Sequence, residues 1–127
     1  MDYKEIRVLI VDDARVARQI VKNMLKEIGF TEFLEADDGN AALQVLDREK
    51  VGLVLSDWNM PVLSGIELLK KVRGNSKLAS IPFIMVTAER MDLNIVTAVQ
   101  EGVSGYIKKP FGAKELEKKI RQALRLE

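Results

Sequence analysis

The sequence predicts an α/β protein built on a parallel sheet with helices packed against both faces. The first observation is an alternation: five short runs rich in Val, Ile and Leu are each followed by a segment whose apolar residues recur at three- and four-residue steps. The second is the length of 127 residues, which suits one domain, residues 1–127, with a single core. Because parallel neighbours need helical crossovers of one hand, the alternation indicates a doubly wound sheet.

The first two strand-helix units show the pattern most clearly. "IRVLIV" predicts a buried strand, and the helix that follows has its apolar face over residues 17–28 and ends at Gly29. "TEFLEA" predicts the second strand, and a second helix covers residues 39–49. Asp37 and Asp38, which lie between them, are interpreted as a turn and an N-cap, because Asp is favoured at both positions.

The remaining three units continue the alternation. "GLVLS" predicts the third strand and "GIELLKKVR" the third helix, which ends at Gly74. "IPFIMVT" predicts the fourth strand, and "DLNIVTAVQE", residues 92–101, the fourth helix, which ends at Gly102. "GYIKK" and "AKELEKKIRQALR" predict the fifth strand and fifth helix. No internal repeat or low-complexity linker interrupts this order, which favours a single domain.

Composition excludes several classes of function. The chain has no cysteine and no histidine, which rules out disulfides, thiolate nucleophiles, the usual zinc sites and a Ser-His-Asp triad. Its formal net charge of +1 lacks the basic excess that binding to nucleic acid requires. The apolar run near the N-terminus is far shorter than the roughly 20 residues that span a bilayer. We therefore expect a cytoplasmic protein that binds neither nucleic acid nor membrane.

Polar residues follow four of the predicted strands. Asp12 and Asp13 come after the first, Asp57 after the third, Thr87 after the fourth and Lys109 after the fifth. Parallel strands end at one edge of a sheet, so the three acids should converge if the first and third strands are neighbours. Crowding should raise the pKa of at least one carboxyl group, and Mg²⁺ would relieve the repulsion. An ammonium and a hydroxyl at the same edge suit the oxygens of a phosphoryl group.

Four motifs carry a resemblance to a known family. "DD" after the first strand, "SDWNMP" around Asp57, "MVTAE" at Thr87 and "SGYIKKPF" at Lys109 occur in order on the expected elements. Over its whole length the chain resembles the receiver domains of response regulators. This resemblance implies the flavodoxin-like strand order 2-1-3-4-5 with five helices, an order that spacing alone does not give. It also implies a cis peptide bond between Lys109 and Pro110.

The resemblance also implies a chemistry. Asp57 would accept a phosphoryl group from a phosphohistidine on a partner histidine kinase, which fits the absence of histidine from this chain. Mg²⁺ would be the cofactor. Its protein ligands would be three carboxylates and one main-chain carbonyl, namely Asp12, Asp13, Asp57 and the carbonyl of Asn59.

The same resemblance assigns the phosphoryl ligands and a switch. Lys109 and Thr87 would bind the phosphoryl oxygens, and Tyr106 would change position when Thr87 moves. The fourth helix, fifth strand and fifth helix would then present a partner surface. The protein would catalyse only its own phosphorylation and dephosphorylation, and is not expected to be an enzyme in any wider sense.

More specifically, the chain resembles the single-domain chemotaxis regulators. The expected effector is then the flagellar motor switch protein, a phosphatase is a further candidate partner, and the protein is expected to be a monomer. A phosphate carrier in a phosphorelay, or a regulator of another pathway, is the alternative. "LSG" at Ser64 and the additional Lys108 depart from the chemotaxis pattern at positions where partner surfaces can be tuned.

Three other classes of function fit the sequence less well. A phosphatase of the haloacid dehalogenase type needs a second acid two positions after its nucleophile, where this chain has Ala14 and Asn59. A flavodoxin-like cofactor protein needs a phosphate-binding loop where two acids stand. A phosphorylation-independent interaction module would not need the full set of strand-end residues. Trp58 is expected at the surface without a catalytic role.

Overall fold

The sheet has five strands and all of them are parallel. The structure, a computed structural model, describes residues 2–87 and 98–125. Within these ranges the strand order is β2-β1-β3-β4-β5, as the family resemblance implied. The strands are β1 (Arg7–Val11), β2 (Glu32–Ala36), β3 (Leu53–Asp57), β4 (Phe83–Thr87) and β5 (Gly105–Lys108).

Helices follow the strands as predicted, with small changes at their ends. They are α1 (Arg15–Ile28), α2 (Gly39–Arg48), α3 (Gly65–Arg73) and a C-terminal helix (Ala113–Ala123). A short 3-10 helix (Tyr3–Glu5) precedes β1. The predicted fourth helix falls mostly outside the described residues, although residues 98–100 are helical. Among the helices of residues 2–87 and 98–125, none has the length and apolar character that crossing a membrane requires.

The residues at the ends of these helices are of the types that favour helix termini. Gly29 ends α1 with φ of 129°, a left-handed conformation that favours glycine. Asp38 caps α2, since its carboxylate accepts the N–H of Ala41 at 2.7 Å. Ser64 and Glu67 form a capping box at the start of α3. The serine that departs from the chemotaxis pattern therefore has a local structural role.

Alternation along the strands produces two apolar layers. Val8 and Ile10 point toward α1 and the C-terminal helix, whereas Leu9 and Val11 point toward α2 and α3. Strands β1, β3 and β4 are covered on both faces, which explains their nearly continuous apolar sequences. Clusters of polar side chains therefore lie at the two ends of the strands, which we call the carboxyl edge and the amino edge of the sheet.

Arg73, the last residue of α3, joins three segments at the amino edge of the sheet. Its Nε donates to the carbonyl of Gly102 at 2.8 Å, and Nη1 donates to Ile81 at 2.7 Å and Ala79 at 3.2 Å. Nη2 donates to the Ser104 hydroxyl at 3.2 Å. Burial lowers the pKa of Arg73, but a guanidinium remains charged in proteins. In the described part of the chain this cation is held by neutral oxygens and has no carboxylate partner within 4.0 Å.

Candidate phosphoacceptor site

Sheet register brings the acids together at the carboxyl edge. Val11 pairs with Ser56 in the β1–β3 ladder. The residues that follow these two, Asp12 and Asp57, therefore lie side by side at the end of the ladder. Asp13 follows at once. One carboxylate oxygen from each of the three acids lies within 4.8 Å of the other two. Asp12 is buried, Asp57 is half-buried and Asp13 is exposed, so the cluster opens to solvent on one side.

Lys109 supplies the positive charge of the site. Its Nζ lies 3.2 Å from Oδ1 of Asp57 and 3.7 Å from Oδ2 of Asp12. Its main-chain N–H donates to the carbonyl of Thr87 at 2.8 Å, which extends the pairing of β5 with β4 past the last strand residue. The Lys109–Pro110 peptide bond is cis, as the resemblance implied. The lysine therefore stands between two acids that come from different strands.

Burial raises the pKa of Asp57 above its ordinary value. Loss of solvent is the largest cause, and the nearby Asp12 carboxylate adds to it. The Lys109 ammonium acts in the opposite direction without cancelling the effect. Crowding was expected to raise one pKa in this cluster, and the direction is confirmed for Asp57. The main cause, however, is desolvation, with repulsion between carboxylates a smaller contribution.

Thr87 and Tyr106 share one face of the sheet. Tyr106 pairs with Met85, two residues before Thr87, so the two side chains are diagonal neighbours on adjacent strands. Thr87 is buried with 1% of its surface exposed, whereas Tyr106 is half-buried against the apolar layer on the side of α2 and α3. The Nζ of Lys119 lies 5.2 Å from the centre of the Tyr106 ring, within cation-π distance.

Trp58 is buried, and the expectation of a surface position was wrong. Only 8% of its surface is exposed, and it packs in the apolar layer with Leu63. The loop after β3 folds back, since Gly65 donates its N–H to the carbonyl of Trp58 at 2.9 Å. Asn59, the fourth residue of the predicted metal set, is exposed immediately after this tryptophan.

Gly65 lets α3 approach the end of β3. A Cβ atom at this position would overlap the carbonyl oxygen of Asp57 and lie 2.8 Å from the sulfur of Met85. The absence of a side chain at residue 65 therefore fixes how closely the helix can approach the acid.

One further residue touches the site and was missed in the sequence. Arg18 of α1 donates from Nη1 to the main-chain carbonyl of Asp12 at 2.6 Å. Helical periodicity places Arg18 at the border of the apolar face of α1, one heptad before the buried Leu25. An arginine at such a border is usually interpreted as reaching solvent, so the sequence does not indicate this contact. Asp38, by contrast, lies at its predicted cap and is not one of the clustered acids of the described residues.

Comparisons with known proteins agree with this geometry. A family model described as response regulator receiver domain matches residues 8–121. The chain is 45% identical over 117 residues to the chemotaxis protein CheY of Pseudomonas aeruginosa, covering 92% of this chain and 94% of that protein. The structure of the chemotaxis response regulator CheY4 of Vibrio cholerae matches with a TM-score of 0.84 at 33% identity, covering 93% of this chain and 98% of that one.

A second solved structure is that of the receiver domain of a sensor histidine kinase from Pseudomonas aeruginosa. It matches with a TM-score of 0.83 at 25% identity and covers 94% of this chain and 97% of that one. That structure has a magnesium ion coordinated in its active site cleft.

Proposed function

The chain belongs to the response regulator receiver domain family, and on that premise we propose that Asp57 is its phosphoacceptor. A carboxylate oxygen of Asp57 would attack the phosphorus of a phosphohistidine on a histidine kinase. The P–N bond breaks as the acyl phosphate forms, and the imidazole leaves with the electron pair of that bond. The observation that carries this proposal is the placement of Lys109 Nζ at 3.2 Å from Asp57 in a cluster of three acids.

Mg²⁺ fits the donor set at this edge. Three carboxylates within 4.8 Å are hard oxygen ligands of the kind that this ion prefers, and their exposed side leaves room for water. Asp12, Asp13 and Asp57 would hold the ion together with the main-chain carbonyl of Asn59. When bound, the ion neutralises charge on the phosphoryl oxygens. The magnesium in the receiver of the Pseudomonas aeruginosa kinase supports this assignment.

Lys109 and Thr87 would bind the phosphoryl group once it is on Asp57. The ammonium of Lys109 already lies beside two carboxylates. It can therefore exchange its contact with Asp57 for a contact with a phosphoryl oxygen without a large movement. The hydroxyl of Thr87 stands at the end of β4, one residue past the partner of Asp57 in the ladder. Each group stabilises negative charge that appears only with the acyl phosphate.

Tyr106 would carry the signal to a partner. If the Thr87 hydroxyl moves toward the phosphoryl group, space opens on its face of β4, and the diagonal ring of Tyr106 is the group that can fill it. The partner surface would combine β5, the C-terminal helix and the predicted fourth helix, of which residues 92–97 lie outside the described part. A partner that favours the inward ring would by reciprocity favour the phosphorylated protein.

We infer that the effector is a flagellar motor switch protein and that the exchange takes place in the cytoplasm. Identity supports this choice: the chemotaxis relative is 45% identical, whereas the receiver of the sensor kinase is 25% identical. Immobilised motor switch protein should retain the beryllofluoride-bound chain more strongly than the free chain. Retention that is equal for both forms, together with transfer of phosphate onward to a second histidine protein, would assign the chain to a phosphorelay.

Labelling with radioactive acetyl phosphate tests the acceptor. The unmutated protein should take up to one phosphoryl group per chain in the presence of Mg²⁺ and almost none with EDTA. Asp57→Asn should take none, while the control Asp37→Asn should behave like the parent, because Asp37 is an exposed acid after β2 outside the cluster. Stoichiometric, Mg²⁺-dependent labelling of Asp57→Asn would contradict the proposal.

A further inference from the structure

Asp12 and Asp13 are consecutive in sequence, yet both carboxylates lie beside Asp57. In extended chain, successive side chains point to opposite sides, so Asp12 and Asp13 would diverge if β1 simply continued. Both nevertheless offer an oxygen within 4.8 Å of Asp57 and of each other. The peptide unit that links Asp12 to Asp13 must therefore be turned out of the strand conformation. Its orientation determines whether the two acids converge.

Arg18 holds that peptide unit. The carbonyl that accepts from its Nη1 at 2.6 Å is the carbonyl of Asp12, which belongs to the Asp12–Asp13 peptide. On the other side of Asp12, its own N–H donates to the carbonyl of Ala36 in the β1–β2 pairing at 3.1 Å. The bond to Ala36 continues the strand pairing as far as Asp12. Two bonds then accompany the turn of the chain: Oδ1 of Asp12 accepts the N–H of Ala14 at 2.9 Å, and Arg18 holds the Asp12 carbonyl from outside the turn.

A carboxylate on β2 sets the direction of the guanidinium. Glu35 accepts from Nε of Arg18 at 2.9 Å and from Nζ of Lys22 at 2.6 Å, and only 15% of the Arg18 side chain is exposed. Two donors of one rigid, planar group are thus used at once, one on Glu35 and one on Asp12. Arg18 shares Glu35 with Lys22, and among the described residues its guanidinium forms no ion pair with the three site carboxylates, which face Lys109 instead.

We propose that Arg18 is a positioning residue of the phosphoacceptor site, which orients the Asp12–Asp13 peptide so that both carboxylates face the metal position. The inference rests on the proposed function, since it concerns Mg²⁺ binding at that site. It predicts that loss of Arg18 weakens Mg²⁺ binding through geometry, even though removing a cation near the site would by charge alone strengthen it. The direction of the effect therefore separates positioning from simple electrostatics.

The experiment is a titration with MgCl₂ alone, followed by the emission of Trp58, which is the only tryptophan and adjoins Asp57. Arg18→Ala should raise the Mg²⁺ Kd about 10-fold, the lower end of the loss seen when groups that orient metal ligands are removed. Arg18→Lys keeps the charge but lacks the planar fork, and should recover less than half of that loss on a logarithmic scale. Lys22→Ala is the matched control, because it removes a contact with Glu35 but none with Asp12, and its Kd should stay within about 2-fold of the parent.

A second variant and a second readout guard against a trivial loss of structure. Glu35→Gln leaves Arg18 in place but weakens the contact that orients it, and should raise the Kd by less than Arg18→Ala does. With saturating Mg²⁺, the limiting rate of labelling by acetyl phosphate should return close to the parental rate in Arg18→Ala. Such a recovery would show that Arg18→Ala needs a higher Mg²⁺ concentration for labelling but is otherwise folded and competent.

Each outcome bears on the inference. An unchanged or lower Kd in Arg18→Ala overturns it, as does full recovery in Arg18→Lys or an equal loss in Lys22→Ala. A flat titration for the unmutated protein would overturn the proposed metal site, and this inference with it. A normal parental response that Arg18→Ala leaves intact would overturn this inference alone.

Discussion

Replacing Lys109 with methionine should destabilise the metal-free protein at neutral pH. Lys109 is the cation that contacts both Asp57 and Asp12, at 3.2 and 3.7 Å. Methionine keeps most of the length of the side chain but has no charge, so the two carboxylates would face each other unpaired. Mg²⁺ should then stabilise the variant more than the parent, because the ion replaces the missing charge and no longer competes with the ammonium.

The size of the effect follows from distance and exposure. With an effective dielectric constant of about 20, charges at 3.2 Å attract by about 5 kcal/mol, and carboxylate oxygens within 4.8 Å of each other repel by at least about 3.5 kcal/mol. The Lys109 side chain is 41% exposed, so solvent screens much of this. Exposed pairs contribute about 0.2–1 kcal/mol, and breaking a buried pair costs about 3–5 kcal/mol. We expect a loss of about 1–2 kcal/mol, between these limits.

Urea unfolding in EDTA at pH 7 measures this loss directly. Lys114→Met is a suitable control, since Lys114 is an exposed lysine of the C-terminal helix that has no carboxylate within 4.0 Å in the described part of the chain, and its replacement should change stability by less than about 0.5 kcal/mol. A change in the midpoint at constant slope would show that the folded state itself has lost stability.

The pH dependence gives a second criterion. The pKa of Asp57 is already raised by burial, and loss of the ammonium should raise it further. The folded variant then binds more protons than its unfolded chain, so its deficit is largest above the folded pKa and fades as pH falls through it. A Lys109→Met protein as stable as the parent at pH 7, or a deficit that grows on acidification, would refute the reasoning.

Three further predictions concern the same edge. Asp57→Asn should stabilise the metal-free fold by about 1 kcal/mol at pH 7 in urea melts, with the gain fading at low pH because it removes a carboxyl group whose pKa is raised; a loss of stability would contradict this. Gly65→Ala should destabilise by about 1–3 kcal/mol and slow labelling at Asp57, because its Cβ would overlap the Asp57 carbonyl; parental melts and labelling would show that the loop yields easily. Thr87→Ala and Tyr106→Ala should each reduce the gain in partner affinity on beryllofluoride binding, and the double variant should lose little more than either alone; additive losses in titration calorimetry would mean that the two residues act separately.

The fold was largely predictable because its signals are local. Five apolar runs alternating with helical periodicity indicate a parallel sheet, and strand ends differ from the predictions by one or two residues. Asp57 was placed just after the third strand, but it is the last residue of β3 because its backbone still pairs with Val86 of β4. The order of the strands could not be predicted in this way, because no spacing in the chain specifies which strands are neighbours. That order came from the family resemblance.

The candidate site was predictable only where the backbone alone positions the residue. Asp12 and Asp57 meet because their strands are adjacent and end together. Trp58 was placed wrongly, because the fold of the loop that buries it depends on Gly65 of the next helix. Arg18 was missed for a related reason: its contact with Asp12 depends on the turn that follows β1, and its contact with Glu35 depends on the pairing of β1 with β2, neither of which helical periodicity specifies.

The ties of Arg73 at the opposite edge bear on how the molecule behaves in different solutions. Its acceptors in three separate segments are uncharged oxygens, so neither acidification nor added salt removes a partner from it. If the proposed function holds, phosphorylation and magnesium would alter the carboxyl edge, whereas changes in ionic strength and pH leave the contacts of Arg73 in place. Displacements that begin at Asp57 should therefore diminish along the strands toward Arg73. A spectroscopic label attached beside Arg73 would then provide a stationary reference against which movement at the carboxyl edge can be measured.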